Sequence, residues 1–194
     1  MTITFDNLKD QKKQIIINKA LLIFAEKGYE LASTNVLTKE LGISKGSLFK
    51  YFETKLGLYQ YLVELSSDKL INYINEHIDE SADWRTSLLN YASVEFDFML
   101  LDPLTLQFFR RVIKDMDLDV LSPIADYLNK RSKNYLEQIY SKVTLPESVA
   151  LHVTFIVKGY SDWFNETYTP VVAKHKEIYI QGLKDHLNLI KMEV

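Results

Sequence analysis

The 194-residue chain has no cysteine. That excludes disulfide staples, thiolate metal ligands and cysteine nucleophiles, and it fits a reducing compartment. Proline and glycine are scarce, with four and six residues respectively. The prolines, Pro103, Pro123, Pro146 and Pro170, all fall in the second half, where helices should begin or end. Histidine is sparse too: His77, His152, His175 and His186 stand in separate segments without metal-ligand spacing. There is no Gly-rich phosphate loop, no GxSxG elbow and no convergent acid pair, so no metal, no cofactor and no catalysis are expected. No stretch approaches about 18 uninterrupted apolar residues. Met1–Leu8 also lacks the basic-then-apolar pattern of a secretory leader, which predicts a cytoplasmic protein without a membrane partner.

What is present is ordinary in amount and uneven in placement. Hydrophobic residues make up 47% of the chain and charged residues 25%, the composition of a globular domain with a core. The net charge is -3. Residues 1–60, however, hold nine Lys, no Arg and six acids, a net +3, and residues 61–194 hold 14 basic and 20 acidic groups, a net -6. A basic head on an acidic body suits a polyanionic partner, because local positive charge releases counterions from phosphates while an acidic body disfavours other docking faces.

Strand-like alternation is hard to find. From Leu8 to Lys27 the apolar residues Ile16, Ile17, Ala20, Leu21 and Phe24 recur at spacings of three and four, and Gly28 reads as a C-terminal stop. Later helices are predicted at 55–80, 83–101, 103–114, 118–141, 146–168 and 172–191. Pro103 after Asp102 reads as a first position behind a cap, and Pro146 with Glu147 suits a first turn. The fold class is therefore all-α.

The stretch from Ser33 to Tyr51, STNVLTKELGISKGSLFKY, carries the functional signal. Ser33 or Thr34 can cap a short helix that buries Leu37 and Leu41. Gly42 supplies a left-handed turn, Ile43 plugs it, and Ser44 caps the next helix. Two short helices meeting in this way form a helix-turn-helix, whose second helix enters the major groove of double-stranded DNA. Lys45, Ser47 and Lys50 would face the DNA while Leu48 and Phe52 face inward.

FAEKGYE at Phe24–Glu30, followed by ELGISKGSLFKYFETKLGLY at Glu40–Tyr59, resembles the signature of TetR-type regulators over about fifty residues. The resemblance implies a three-helix DNA-binding head at 1–54 and a helical ligand-binding and dimerisation body at 55–194, about nine helices in all. It implies DNA contacts from Lys45, Gly46 and Ser47, and a phosphate contact from the Tyr51 hydroxyl. Gly46 would let the backbone come close, and Lys55 behind a capping Thr54 would add its ammonium to a helix N-terminus. The full DNA-facing set is Ser33, Thr34, Asn35, Ser44, Lys45, Gly46, Ser47, Lys50, Tyr51 and Lys55. Among these, Lys45 or Lys50 could pair with guanine and Asn35 with adenine. Ala32, Thr38 and Phe49 depart from the usual pattern, and Phe49 lacks a phosphate-bonding hydroxyl.

In the body, the resemblance implies a small-molecule effector pocket, for which Tyr91, Glu95, Phe98, Phe108, Tyr127 and Phe155 are the candidates. A carboxylate there would favour a cationic or hydrogen-bonding ligand, although Glu95 also suits a solvated helix edge. It further implies a homodimer through the last two long helices, with Val153, Ile156, Gly159, Tyr160, Trp163, Ile178, Leu183 and Leu187 at the interface. The chain is thus expected to be a repressor released from a palindromic operator by an effector. The alternative is a ligand-independent architectural or partner-binding DNA protein with the same head.

Overall fold

A computed structural model describes residues 5–78, 83–142 and 147–190, with the backbone alone for 135–142, 147 and 148. Nine α-helices and no strand occur among the described residues: α1 (Asp10–Leu31), α2 (Thr34–Leu41), α3 (Lys45–Phe52), α4 (Lys55–His77), α5 (Trp84–Leu101), α6 (Pro103–Asp115), α7 (Ser122–Lys142), α8 (Glu147–Thr167) and α9 (Lys176–Asn188). The all-α expectation holds, with ends displaced by a few residues. The segments before α7 and α9 form single tight turns, Asp119–Leu121 and Ala173–His175, where continuous helix was expected. Asp102 caps α6 by accepting from the Thr105 N–H at 3.1 Å, with Pro103 in the first turn where its missing N–H costs nothing.

Gly28 interrupts the first helix as the sequence suggests, and a short further turn follows it. It has φ 73° and ψ 178° and breaks α1 into two pieces, the second ending at Leu31. A β-carbon at Gly28 would displace the guanidinium of Arg111, and the positive φ there favours glycine.

Two compact units divide the chain. One comprises Met1–Lys69 and Asp102–Asn129, the other Leu70–Leu101 and Lys130–Val194. The expected boundary at 54/55 lies inside the first unit, because α6 packs along α1. The core of the first unit gathers Ile16, Ala20, Leu21 and Phe24 of α1, Leu37 and Leu41 of α2, and Leu48 and Phe52 of α3. Leu58, Tyr59 and Leu62 of α4 and Phe108 and Val112 of α6 complete it. Each fully buried large apolar side chain contributes roughly 1.5–3 kcal/mol, so the short helices α2 and α3 are held by this core and not by their own propensity.

The second unit is built on Trp84, Leu88, Ala92 and Phe96 of α5, Val153, Tyr160 and Phe164 of α8, and Tyr179, Leu183 and Leu187 of α9. Polar ties fasten α9 to α5. Lys176 donates to both Asp97 carboxylate oxygens at 2.7 Å, and Arg85 donates to the Ile190 carbonyl at 2.6 Å.

Candidate nucleic-acid interface

Local hydrogen bonding sets the two short helices. Ser33 caps α2 by accepting from the Val36 N–H at 3.3 Å, which decides between the two cap candidates. Gly42 ends α2 at φ 66° and ψ 34°, and the Ile43 N–H returns to the Thr38 carbonyl at 3.2 Å. Ser44 then caps α3, accepting from the Ser47 N–H at 3.0 Å while the two hydroxyls lie 2.9 Å apart. Lys19 of α1 donates to the Glu40 carbonyl at 2.9 Å and fixes the end of α2.

The result is an α3 with two distinct faces. Leu48 and Phe52 are buried, whereas Lys45, Gly46, Phe49 and Lys50 are exposed. A β-carbon at Gly46 would meet only the Ser44 hydroxyl at 3.8 Å, and φ is not positive there, so nothing within the chain demands glycine. The Lys45 ammonium lies 5.9 Å from the centre of the Phe49 ring. On α2 and its cap, Ser33 and Asn35 are exposed and Thr34 is half-buried. Tyr51 is half-buried, its ring packed on Phe5 at 5.7 Å and Phe52 at 6.2 Å.

Lys55 has a partner that sequence reasoning did not foresee. Its ammonium donates to the Tyr29 carbonyl at 2.8 Å and sits 4.1 Å from the centre of the Tyr29 ring. Burial pushes its pKa down. The Tyr29 N–H in turn donates to Asp115 at 2.7 Å, and Asp115 also accepts from Arg111 Nε at 2.9 Å. Tyr29 is thereby held on both backbone groups, by α4 through its carbonyl and by α6 through its N–H. Three more residues at this junction and at the turn into α4 went unread. Phe5 is buried against Tyr51, Phe52 and Tyr61. Glu53 takes φ 61° at the end of α3, and Gly57 avoids the Phe52 carbonyl, which a β-carbon would strike. Positive φ at a non-glycine residue has no signature in composition or periodicity.

The six expected pocket residues fall in both units. Phe108 and Tyr127 belong to the first unit, where Phe108 is buried against Tyr59. Tyr91, Glu95, Phe98 and Phe155 belong to the second, where Phe98 is buried and contacts Tyr73. Phe155 is 69% exposed and does not line an enclosed cavity. It borders an open recess of about 480 Å³ with Ile156, Gly159, Tyr160, Trp163 and His186. Glu95 is half-buried, and burial pushes its carboxyl up to about 7. Tyr179, whose hydroxyl lies 2.6 Å from that of Ser161, is pushed well up by burial and by the Glu95 charge.

The expected dimer residues separate into two sets. Val153, Leu183 and Leu187 are buried within the second unit, while the largely buried Tyr160 and the half-buried Ile156 border the open recess. Trp163 at 52% and Ile178 at 47% face outward, as does Gly159, whose α-carbon has no neighbour that a β-carbon would meet. Leu151 and Phe155 join that outward apolar set and were not expected in it. The cause is the breadth of the apolar face of α8, which serves α9 on one side and is left bare on the other.

Residues 16–62 match the family model described as bacterial regulatory proteins, tetR family. A nucleoid occlusion factor, SlmA, of Mannheimia succiniciproducens is 27% identical over 97 residues, covering 50% of this chain and 45% of that protein. An uncharacterized HTH-type transcriptional regulator, YfiR, of Bacillus subtilis is 25% identical over 138 residues, covering 68% and 60% respectively. The chain spans about half the length of the curated relatives it matches. A solved transcriptional regulator of Aquifex aeolicus VF5 superimposes with a TM-score of 0.67 at 19% identity, over 93% of this chain and 99% of that one, which shows a shared fold. No helix among the described residues is long and apolar enough to cross a membrane.

Proposed function

We propose that this chain, a TetR-family protein by the head it carries at residues 16–62, is a DNA-binding transcription regulator that works in the cytoplasm as a homodimer. The observation that carries the reading is the exposed stripe of α3, Lys45, Gly46, Phe49 and Lys50, set behind the Ser44 cap and left uncovered by the other described residues. The chemistry of the stripe fits DNA. Two ammonium groups supply the charge for phosphates or guanine edges, and Gly46 removes the one β-carbon that would hold the backbone of α3 away from a strand. Ser33, Thr34 and Asn35 lie at the start of α2, where that helix would cross the phosphate backbone, while Ser44, Ser47 and Tyr51 belong to the α3 end of the same surface. Lys55 acts from behind, through Tyr29.

Dimerisation would use the outward face of α8 and α9, with Ile156, Gly159, Trp163 and Ile178 central and Leu151 and Phe155 added. One eight-residue helix offers too few contacts for specific binding, whereas two related by a twofold axis read half-sites about a helical turn or more apart. We further propose that the protein is a repressor and that a small-molecule effector releases it from a palindromic operator. Glu95 is the polar candidate in the body for effector recognition. A second reading keeps the head and gives the body a protein partner in place of an effector, and the likeness to a nucleoid occlusion factor favours it.

Selection of bound duplexes from a random pool tests the DNA reading. An enriched inverted repeat bound by two chains is expected. Failure to enrich any sequence, or full-affinity binding of a single half-site by a monomer, would overturn it.

A further inference from the structure

Phe49 is an exposed aromatic ring on the face of α3 that carries its lysines. It is 39% exposed, while Leu48 and Phe52, its neighbours on the other face, fill the core. It stands one turn beyond Lys45, whose ammonium lies 5.9 Å from the ring centre, and three residues beyond Gly46. Lys50 follows it directly, also exposed. An apolar ring is thus placed between two cations on a surface that otherwise suits a polyanion.

The chemistry of such a ring is restrictive. It carries no hydrogen-bond donor, so it cannot bind a phosphate oxygen, and no acceptor or donor with which to pair a base edge. The major groove offers one apolar feature, the C5-methyl group of thymine. We propose that Phe49 reads a thymine methyl in each half-site, making it a specificity-determining residue rather than a phosphate anchor. This rests on the reading that α3 enters the major groove. The flanking ammonium groups of Lys45 and Lys50 hold the ring against the strand by their phosphate or guanine contacts, and the open space at Gly46 permits the approach.

The test removes the methyl and nothing else. In the selected duplex, each thymine of a half-site is replaced singly, and in both half-sites symmetrically, by deoxyuridine, and affinity is measured by fluorescence anisotropy at fixed salt. The wild-type protein should lose about fourfold per methyl at one position of the half-site, the factor expected for withdrawing one methyl-sized apolar group from contact. Phe49→Ala should bind the thymine duplex more weakly and be indifferent to deoxyuridine at that position. Phe49→Tyr, which keeps the ring, should retain the loss. Because Phe49 lies outside the core, both variants should keep the wild-type circular dichroism. If no thymine position is methyl-sensitive, or if Phe49→Ala shows the same loss as wild type, the assignment is wrong while the DNA reading stands. If no duplex is selected at all, the DNA reading fails and this assignment with it.

Discussion

Replacing Gly28 by alanine probes the junction that sets the head on α6. The backbone there, at φ 73° and ψ 178°, lies in a region occupied essentially by glycine alone, and holding another residue in it costs about 1–3 kcal/mol. The new β-carbon would also strike the Arg111 guanidinium, whose Nε donates to Asp115 at 2.9 Å. Arg111 is a flexible side chain, 34% exposed, and it can swing aside at the loss of that bond, worth about 1 kcal/mol. The two effects together amount to about 2–4 kcal/mol, which for a chain of this length lowers Tm by about 4–16 °C. Thermal unfolding followed by far-ultraviolet circular dichroism reads this. In an Arg111→Ala background the collision is absent and only backbone strain remains, so the same replacement should cost about 1 kcal/mol less. An unmoved Tm for Gly28→Ala would refute the strain argument. Equal costs in the two backgrounds would refute the collision.

Three further perturbations follow from the structure. Ser44→Ala removes the cap of α3 and should cost about 1 kcal/mol, seen as a drop of about 2–4 °C in Tm; no change would mean that the 3.0 Å bond to the Ser47 N–H contributes nothing. Glu95 has a folded-state pKa raised from 4.5 to about 7, so the folded chain holds this proton more tightly than the unfolded one. Stability should therefore fall as pH rises from about 4.5 to about 7, by about 3 kcal/mol in all, and then level off. Urea unfolding of wild type and Glu95→Gln at pH 5 and pH 8 should show this slope in the difference between them, and a pH-independent difference would contradict it. Trp163→Glu puts a charge on the outward face of α8 without entering the core. Sedimentation velocity should show monomers with unchanged helix content, and an intact dimer would place the interface elsewhere.

The head was legible in the sequence because its determinants are local. Ser33, Gly42 and Ser44 act through bonds to residues three or four positions away, and the buried Leu37, Leu41, Leu48 and Phe52 follow the helical period. Junctions were not legible. Gly28 was readable as a helix stop, but its closeness to Arg111, 83 residues along the chain, was not. A sequence gap of 86 residues likewise hid the tie between Asp115 and Tyr29, and Lys55 was read only as a DNA contact because its other partner comes from α1. In the body, periodicity identified α8 as broadly apolar, but it could not say that Val153 turns inward and Phe155 outward. That division depends on where α9 lies. For the same reason Phe108 was grouped with Phe155, although the fold assigns them to different units.

On the reading proposed here, the exposed stripe of α3 is the surface that meets DNA. Its most direct measurement is the salt dependence of binding to the selected duplex for wild type and for the double variant Lys45→Ala, Lys50→Ala. Each lost phosphate contact makes the plot of log affinity against log salt shallower by about 0.9. The double variant should therefore bind at least tenfold more weakly at moderate salt, with a slope reduced by about 1–2 units. Lys174→Ala, an exposed lysine in the second unit, should behave as wild type. Unchanged affinity and slope in the double variant, or an equal loss from Lys174→Ala, would contradict the assignment of α3 as the DNA-reading helix.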